Sequence, residues 1–447
     1  MRALAILVGP SLLGLGLLLG AAGASASGTH RIIVHPGESI QAALDQAKTG
    51  DVVAVLPGTY QEDGHPCPSD PSKTCAVSIT TDGVRLVAAR GKDLWPPGWH
   101  FFGLLASRSA SGTSAKPGDD GDDHGEMCDH GPGPGLGGVV IQAKGDQDRG
   151  VEVSKPGASG ASCLTDDSQR IRGVRLRGLE VDGFQDDGIF VLCADAWEVR
   201  ECATHDDLEY GIFPSHTGFG RVTRNVATGA NDTGVYIGQS DGVRIDHNVA
   251  SGNVSGFELE NSTHTRIDHN LSHDNTGGLL TFANPGLDVK VNADNRVDHN
   301  LVLNNNKPNT CLDPSDEVCT VPPGTGILMI ATDRNLVDHN TVKGNGSYGI
   351  ATISQCLLDP TTCGSLDVEP NPDGNRILNN VAMGNGGTPD PSVPTLLAKD
   401  LVWDSSGEDN CWAKNVFGTS FPKDLPACPS PGHGHGGGEN DQGQDQR

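Results

Sequence analysis

The sequence predicts an all-β chain, a right-handed parallel β-helix with an N-terminal capping helix, and three observations predict it. First, Leu176 to Leu192, Val199 to Ser215 and Val222 to Gly238 superpose at a period of 23 residues, and further copies start at Ile245, Ile267, Val297 and Val337. A unit this short cannot bury its own apolar face, so the copies must stack as a solenoid. Second, the copies are rich in β-branched residues, Gly and Asn and lack an i, i+3, i+4, i+7 apolar stripe, so each coil reads as short strands joined by turns. Third, a Gly opens an apolar strand in every copy, as in Gly188-Ile189-Phe190-Val191 and Gly211-Ile212-Phe213-Pro214. Strand alternation sends Ile189, Ile212, Val235, Phe257, Leu279, Ile327 and Ile350 to the interior.

The elements follow in chain order. Met1 to Ala26 carries Arg2, an apolar run from Leu4 to Leu19 and an Ala24-Ser25-Ala26 end, which reads as a signal peptide. Residues 27–428 are then expected as one secreted β-helix domain with no stable membrane insertion after cleavage. From Arg31 to Tyr60 the pattern is strand, short helix, strand. Ser39 or Glu38 caps a helix whose Ile40, Ala43, Leu44 and Ala47 form one apolar side, suited to covering the open first coil. Residues 107–138 form a Gly/Asp/Pro/Ser-rich insertion, and 307–323 and 355–374 are loops pinned by Cys. Turns are marked by Asn225, Asn248, Asn270, Asn300, Asn340 and Asn380, because Asn tolerates the left-handed conformation and stacked Asn side chains hydrogen-bond from coil to coil. Beyond Gly386 the repeat dissolves, and 386–428, with Trp403 and Trp412, is expected to cap or brace the last coils. Residues 429–447 have the composition of a disordered tail.

The twelve cysteines are an even number. Cys67 with Cys75, Cys193 with Cys202, Cys311 with Cys319 and Cys356 with Cys363 are close in sequence, and loop-local disulfides formed outside the cytosol are the expectation. The net charge of −26 argues against nucleic acid as a partner. It also disfavours a strongly anionic polysaccharide unless a cation mediates.

Stacking at about 4.8 Å turns the repeat into columns of side chains. Asp186, Glu209 and Asp232, each two residues before the Gly, should lie one above another and take up a proton or a cation, with Ca²⁺ the hard, oxygen-seeking candidate. Phe190, Phe213 and Tyr236, followed by Glu258, should form an outward stripe offering flat apolar faces to sugars. Glu258 and Glu260 share one face of a strand, near His216 and Gln239, and two such carboxyls suit acid/base work on a glycosidic bond or a uronic acid carbon. A repeated Asp-His-Asn, from Asp246-His247-Asn248 to Asp338-His339-Asn340, implies imidazole columns able to take Zn²⁺ or Cu²⁺.

The coils Asp232-Thr233-Gly234-Val235-Tyr236-Ile237-Gly238-Gln239-Ser240 and Gly256-Phe257-Glu258-Leu259-Glu260-Asn261-Ser262 resemble those of exported bacterial parallel β-helix repeat proteins of uncharacterised function, over Val174 to Gln355. More remotely, the chain is similar to the pectate-lyase-like superfamily, which mostly handles polysaccharides. Tyr210-Gly211-Ile212-Phe213-Pro214-Ser215-His216 resembles the Tyr-Gly-Phe-Asp-Pro-His stretch of alginate C5-epimerases. That resemblance implies proton-transfer roles for Tyr210 and His216, while Phe213 stands where the family has Asp.

The expectation is a secreted protein that binds an extracellular polysaccharide between Asp186 and Glu260 and cleaves or modifies it as a lyase, a glycoside hydrolase or a uronate epimerase. Glu258 and Glu260 would be acid and base, Tyr210 and His216 proton-transfer groups, Phe190, Phe213, Tyr236 and Gln239 the substrate platform. A non-catalytic surface scaffold and a metal-handling protein are the alternatives. No Lys or Arg falls on the outward positions of these coils, which counts against lyase chemistry.

Overall fold

The computed structural model describes residues 29–89, 138–361 and 363–429. The signal peptide, all but the last residue of the 107–138 insertion, and the tail after Pro429 lie outside the described residues.

Each coil contributes a strand to each of three sheets, which hold 12, 11 and 12 strands among the described residues. The first sheet runs from Arg31–Val34 to Cys411–Ala413, the second from Gly58–Tyr60 to Val416–Phe417, and the third from His65–Pro66 to Ser420–Phe421. Pairing between successive coils is parallel and in register. Ile189, Ile212, Val235, Phe257, Leu279, Ile327 and Ile350 form one continuous interior column. All seven are at most 1% exposed, so the column is a dry core held by area burial. The Gly that opens each strand is required by close approach. A Cβ on Gly211 would lie 2.5 Å from Thr204 Oγ1 and 2.6 Å from the Gly234 carbonyl oxygen.

Helix α1, Ile40–Leu44, is capped by Ser39, whose hydroxyl accepts from the Ala42 N–H, and buries Ile40, Ala43 and Leu44. Glu62 secures its start by accepting from the Ile40 N–H at 2.6 Å.

The corners are held by Asn ladders, and three run along the rod. In the ladder through Asn225, Asn248, Asn270, Asn300 and Asn340, each Oδ1 from Asn248 onward accepts both the backbone N–H and the Nδ2 of the Asn one coil earlier, and Asn225 Oδ1 accepts the Cys202 N–H. A second ladder joins Asn253, Asn275, Asn305, Asn345 and Asn385. A third joins Asn295, Asn335, Asn375 and Asn410 by Asn Oδ1 to backbone N–H bonds. The left-handed residue at the first corner is the one before the Asn, as in Arg224, His247, His269, His299 and His339 with φ of 55–58°. Asn is there to feed the ladder, which corrects the expectation that Asn itself takes the strained conformation.

Cys67–Cys75, Cys311–Cys319 and Cys356–Cys363 are disulfides, joined by Cys411–Cys428. The expected Cys193–Cys202 bond is replaced by Cys163–Cys193, and Cys202 is a free buried thiol. Cys193 closes the third-sheet strand Asp187–Leu192, whereas Cys202 follows the first-sheet strand Glu198–Arg200 and points into the core. Helix α2, Gly160–Thr165, supplies the actual partner. The segment after Gly386 continues the rod, because Leu401–Trp403, Cys411–Ala413 and Val416–Phe417 each pair with the preceding coil. No helix among the described residues is long and apolar enough to cross a membrane.

Candidate functional site

Outward positions of the third sheet alternate with the core column. Phe190 lies beside Phe213, Tyr236 beside Glu258, and Glu258 beside Leu280, Leu328 and Ala351 on later coils. Loops around the Cys311–Cys319 and Cys356–Cys363 disulfides and residues 392–397 rise over this face. Together they wall a groove of about 920 Å³. Tyr210, Asp232, Tyr236, Glu258 and Glu260 form its acidic end.

The predicted aromatic row is present but is not an open stripe. Phe190 and Phe213 have centroids 5.1 Å apart, and Tyr210 and Tyr236 pack on Phe213 at 4.7 and 4.9 Å. Phe190 is buried with Ala158, Cys163 and Leu192, so the α2 region covers that end. Tyr236 is also buried, yet lines the groove.

Glu258 is only 4% exposed, and burial, followed by the charge of Asp232, raises its pKa well above the ordinary carboxyl range. Burial lifts Asp232 to about 7, although hydrogen bonds from Thr233 and Tyr210 favour its charged form. The Thr233 hydroxyl donates to Asp232 Oδ1 at 2.8 Å. Burial also raises Glu260, which accepts from the Tyr236 hydroxyl and, at 2.9 Å, from Asn284 Nδ2. Burial and the neighbouring charge thus favour the protonated form of Glu258, beside a second carboxyl raised to about 7, an arrangement suited to proton transfer.

The predicted Asp186, Glu209 and Asp232 column is in register but splits chemically. Glu209 N–H donates to the Asp186 carbonyl and Asp232 N–H to the Glu209 carbonyl, so the backbones stack. Side-chain oxygens of Asp186, Asp187 and Glu209 lie within 4.8 Å of one another, and Asp232 turns to Tyr210 instead. Two protein cations meet the acids: Lys73 bonds Asp186, and Arg149 Nε lies 2.9 Å from Asp187 and 3.4 Å from Asp186. Asp187 is raised to about 7 and Glu209 to about 8, burial being the larger cause in each and Asp186 adding to it. Arg149 also lies 4.0 Å over the Phe190 ring and 2.8 Å from Glu152. These cations were missed because they precede the regular repeat. Arg149 was findable, since Gly150-Val151-Glu152-Val153 is an earlier copy of Gly188-Ile189-Phe190-Val191 and pairs with it.

Tyr210 and His216 stand at opposite ends of the strand Tyr210–Ser215. His216 is buried against Gly160, its Nδ1 bonded to the Ser215 hydroxyl at 2.9 Å and its Nε2 3.5 Å from Asp288. Burial lowers its pKa, so it is a neutral group outside the groove lining. Gln239 is also placed elsewhere: its Oε1 accepts the N–H groups of Asp288 and Val289 at 2.9 and 3.0 Å and anchors that loop.

The imidazole column is real. His247, His269, His299 and His339 stack at 5.2, 5.0 and 5.0 Å with interplanar angles of 6°, 2° and 4°. Each Nδ1 lies 2.8 Å from the preceding Asp, which also takes an Arg from the coil before, as Asp298 takes Arg266. Parallel rings at this spacing do not converge on one ion as metal ligands must. None of these histidines belongs to a metal-ligand cluster among the described residues.

A family model described as right handed beta helix region matches residues 159–358. No curated protein matches the chain by sequence. Among solved structures, the A-module of the Azotobacter vinelandii mannuronan C-5 epimerase AlgE6 superposes with a TM-score of 0.53 at 17% identity, covering 84% of this chain and 83% of that one. The A-module of mannuronan C-5 epimerase AlgE4 from the same organism gives 0.50 at 14% identity, covering 88% and 95%. A variant of the periplasmic alginate epimerase AlgG gives 0.50 at 13%, covering 87% and 74%. At these identities the likeness is one of fold.

Proposed function

We propose, for a chain that is a right-handed parallel β-helix protein, that it is an exported carbohydrate-active enzyme hydrolysing a glycosidic bond in the third-sheet groove. The observation that carries this reading is the pairing of two desolvated carboxyls, Asp232 and Glu258, on the floor of a groove large enough for several sugar rings. Glu258, whose protonated form is favoured by burial and by the charge of Asp232, donates to the departing glycosidic oxygen. Asp232, kept closer to ionisation by Tyr210 and Thr233, takes a proton from the attacking water. Glu260 with Tyr236 and Asn284 orients the sugar.

The lining favours hydrolysis over the lyase and epimerase alternatives. Among the described residues it contains eight acidic side chains and no Lys, Arg or His. Chemistry at the carbon next to a uronate carboxylate requires a cation to neutralise that carboxylate, and a polyanion entering this groove would meet like charge. Arg149 and Lys73 lie outside the lining and are engaged by Asp187 and Asp186.

The test is product analysis on a panel of neutral and basic oligosaccharides. New reducing ends are expected from the wild type, with E258Q slower by about a thousandfold. Undiminished turnover in E258Q, or unsaturated or epimerised products in place of reducing ends, would sink the reading.

A further inference from the structure

Beyond Glu258 the groove changes character within one coil. The positions beside Glu258 on later coils are Leu280, Leu328, Ala351 and Val402, and those beside Glu260 are Phe282, Ile330 and Ile353. These residues face away from the rod interior and form an apolar cluster of their own with Val321, Tyr348 and Val393 from the flanking segments. They line the same groove as the acids. At its mouth, Leu312, Leu357 and Leu358 are 63%, 45% and 53% exposed. Three exposed leucines lining one groove, above a floor that is already apolar, are a liability in an exported chain unless something apolar sits there.

The two ends therefore make opposite demands on one ligand. The acidic end, without a basic side chain in its lining, suits sugar hydroxyls or an amine and repels anions. The other end offers no charged partner along its floor and suits hydrocarbon. We infer that the groove takes an amphipathic glycoside, a neutral or basic sugar carrying an apolar aglycone, with the sugar over Glu258 and Glu260 and the aglycone along Leu280, Leu328 and Ile353. The inference rests on the proposed carbohydrate site and adds its substrate class: the bond under attack joins sugar to aglycone, at the junction of the two halves.

The experiment is titration of the full chain with n-alkyl glucosides from hexyl to decyl, below their micelle-forming concentrations. Each buried methylene contributes about 0.8 kcal/mol, roughly fourfold in affinity, so a rise of at least tenfold from hexyl to decyl is expected. The surface double variant L357S/L358S and the floor variant L328N, its fold checked by circular dichroism, should both flatten that rise. A flat series in the wild type, or a rise that survives in both variants, overturns the inference. The two readings separate cleanly. A chain-length rise together with full turnover in E258Q leaves the apolar half standing and removes the assigned acid, whereas sugar hydrolysis with a flat series does the reverse.

Discussion

Tyr236 and Glu258 are direct cross-strand neighbours, so the column of outward rings that begins at Phe190 ends on a carboxyl. One coil later the same position is Leu280. In a solenoid the register is constant, and a single residue per coil decides what each step along the groove presents. Aromatic support, proton chemistry and apolar floor follow one another in that order because the outward residues read Phe, Phe, Tyr, Glu, Leu, Leu, Ala.

The groove acids set a pH dependence of stability whose sign is fixed by the direction of their shifts. Asp232 rises from an ordinary 3.8 to about 7 on folding, so the native chain holds its proton more tightly than the unfolded one. That contribution is complete below pH 3.8 and is lost as pH rises through about 7. Glu258 shifts in the same direction. The double variant D232N/E258Q, which cannot ionise at either position, should therefore melt about 3 °C or more above the wild type at pH 8 and show no such gain at pH 4. Thermal melts across this range check it, and an equal difference at both ends contradicts the assignment.

The rod was legible because its signal is repeated: Ile212, Val235 and Phe257 occupy the interior as strand alternation requires, and each coil restates the rule. What was not legible lies where the chain leaves the repeat. The cover on Phe190 comes from α2 and Cys163, a non-periodic segment tied to the rod by the Cys163–Cys193 disulfide. Glu258 and Glu260 share one face as the alternation requires, but the larger charge acting on Glu258 is that of Asp232, with Glu260 adding less, and register alone places Asp232 in the acid column with Asp186 and Glu209. Register predicts which backbones stack, and side-chain rotamers then decide which carboxyls meet. The apolar half of the groove went unseen because its walls are loops.

The Asn ladder should be costly to interrupt. Asn300 Oδ1 accepts from Asn270 N–H and Nδ2, both at 3.0 Å, while its own Nδ2 donates to the Ile267 carbonyl at 2.8 Å. Asn300→Ala strands two buried donors and an acceptor, at about 3 kcal/mol or more. Urea unfolding should show the midpoint fall, whereas Ala at Asn371, whose bonds are local and exposed, should change stability by less than about 0.5 kcal/mol.

Cys202 should behave as core. Burial pushes its thiol up to about 11, so almost no thiolate exists at pH 8 in the folded chain. Peptide-resolved alkylation should leave Cys202 unmodified under native conditions and modify it fully in denaturant. Rapid native labelling at this position would mean that the coil opens.

Lys73 decides whether the Asp186, Asp187 and Glu209 cluster needs Ca²⁺. Three carboxyl side chains with oxygens within 4.8 Å of one another have the donor set of a hard-cation site, but the Lys73 ammonium already bonds Asp186 and Arg149 bridges Asp186 and Asp187. With both cations in place, Ca²⁺ would have to displace an ammonium to gain its ligands, and millimolar Ca²⁺ or a chelator should leave the melting temperature of the wild type unchanged. Lys73→Met removes one positive charge while keeping the aliphatic stem, which leaves the acids in excess. The variant should melt below the wild type at pH 8 without Ca²⁺ and recover by several degrees when Ca²⁺ is added, because a ligand that binds only the folded state stabilises it by mass action. Differential scanning calorimetry with and without Ca²⁺ reads both effects. A Ca²⁺-dependent rise in the wild type would instead assign the cluster to a resident metal and make Lys73 its competitor.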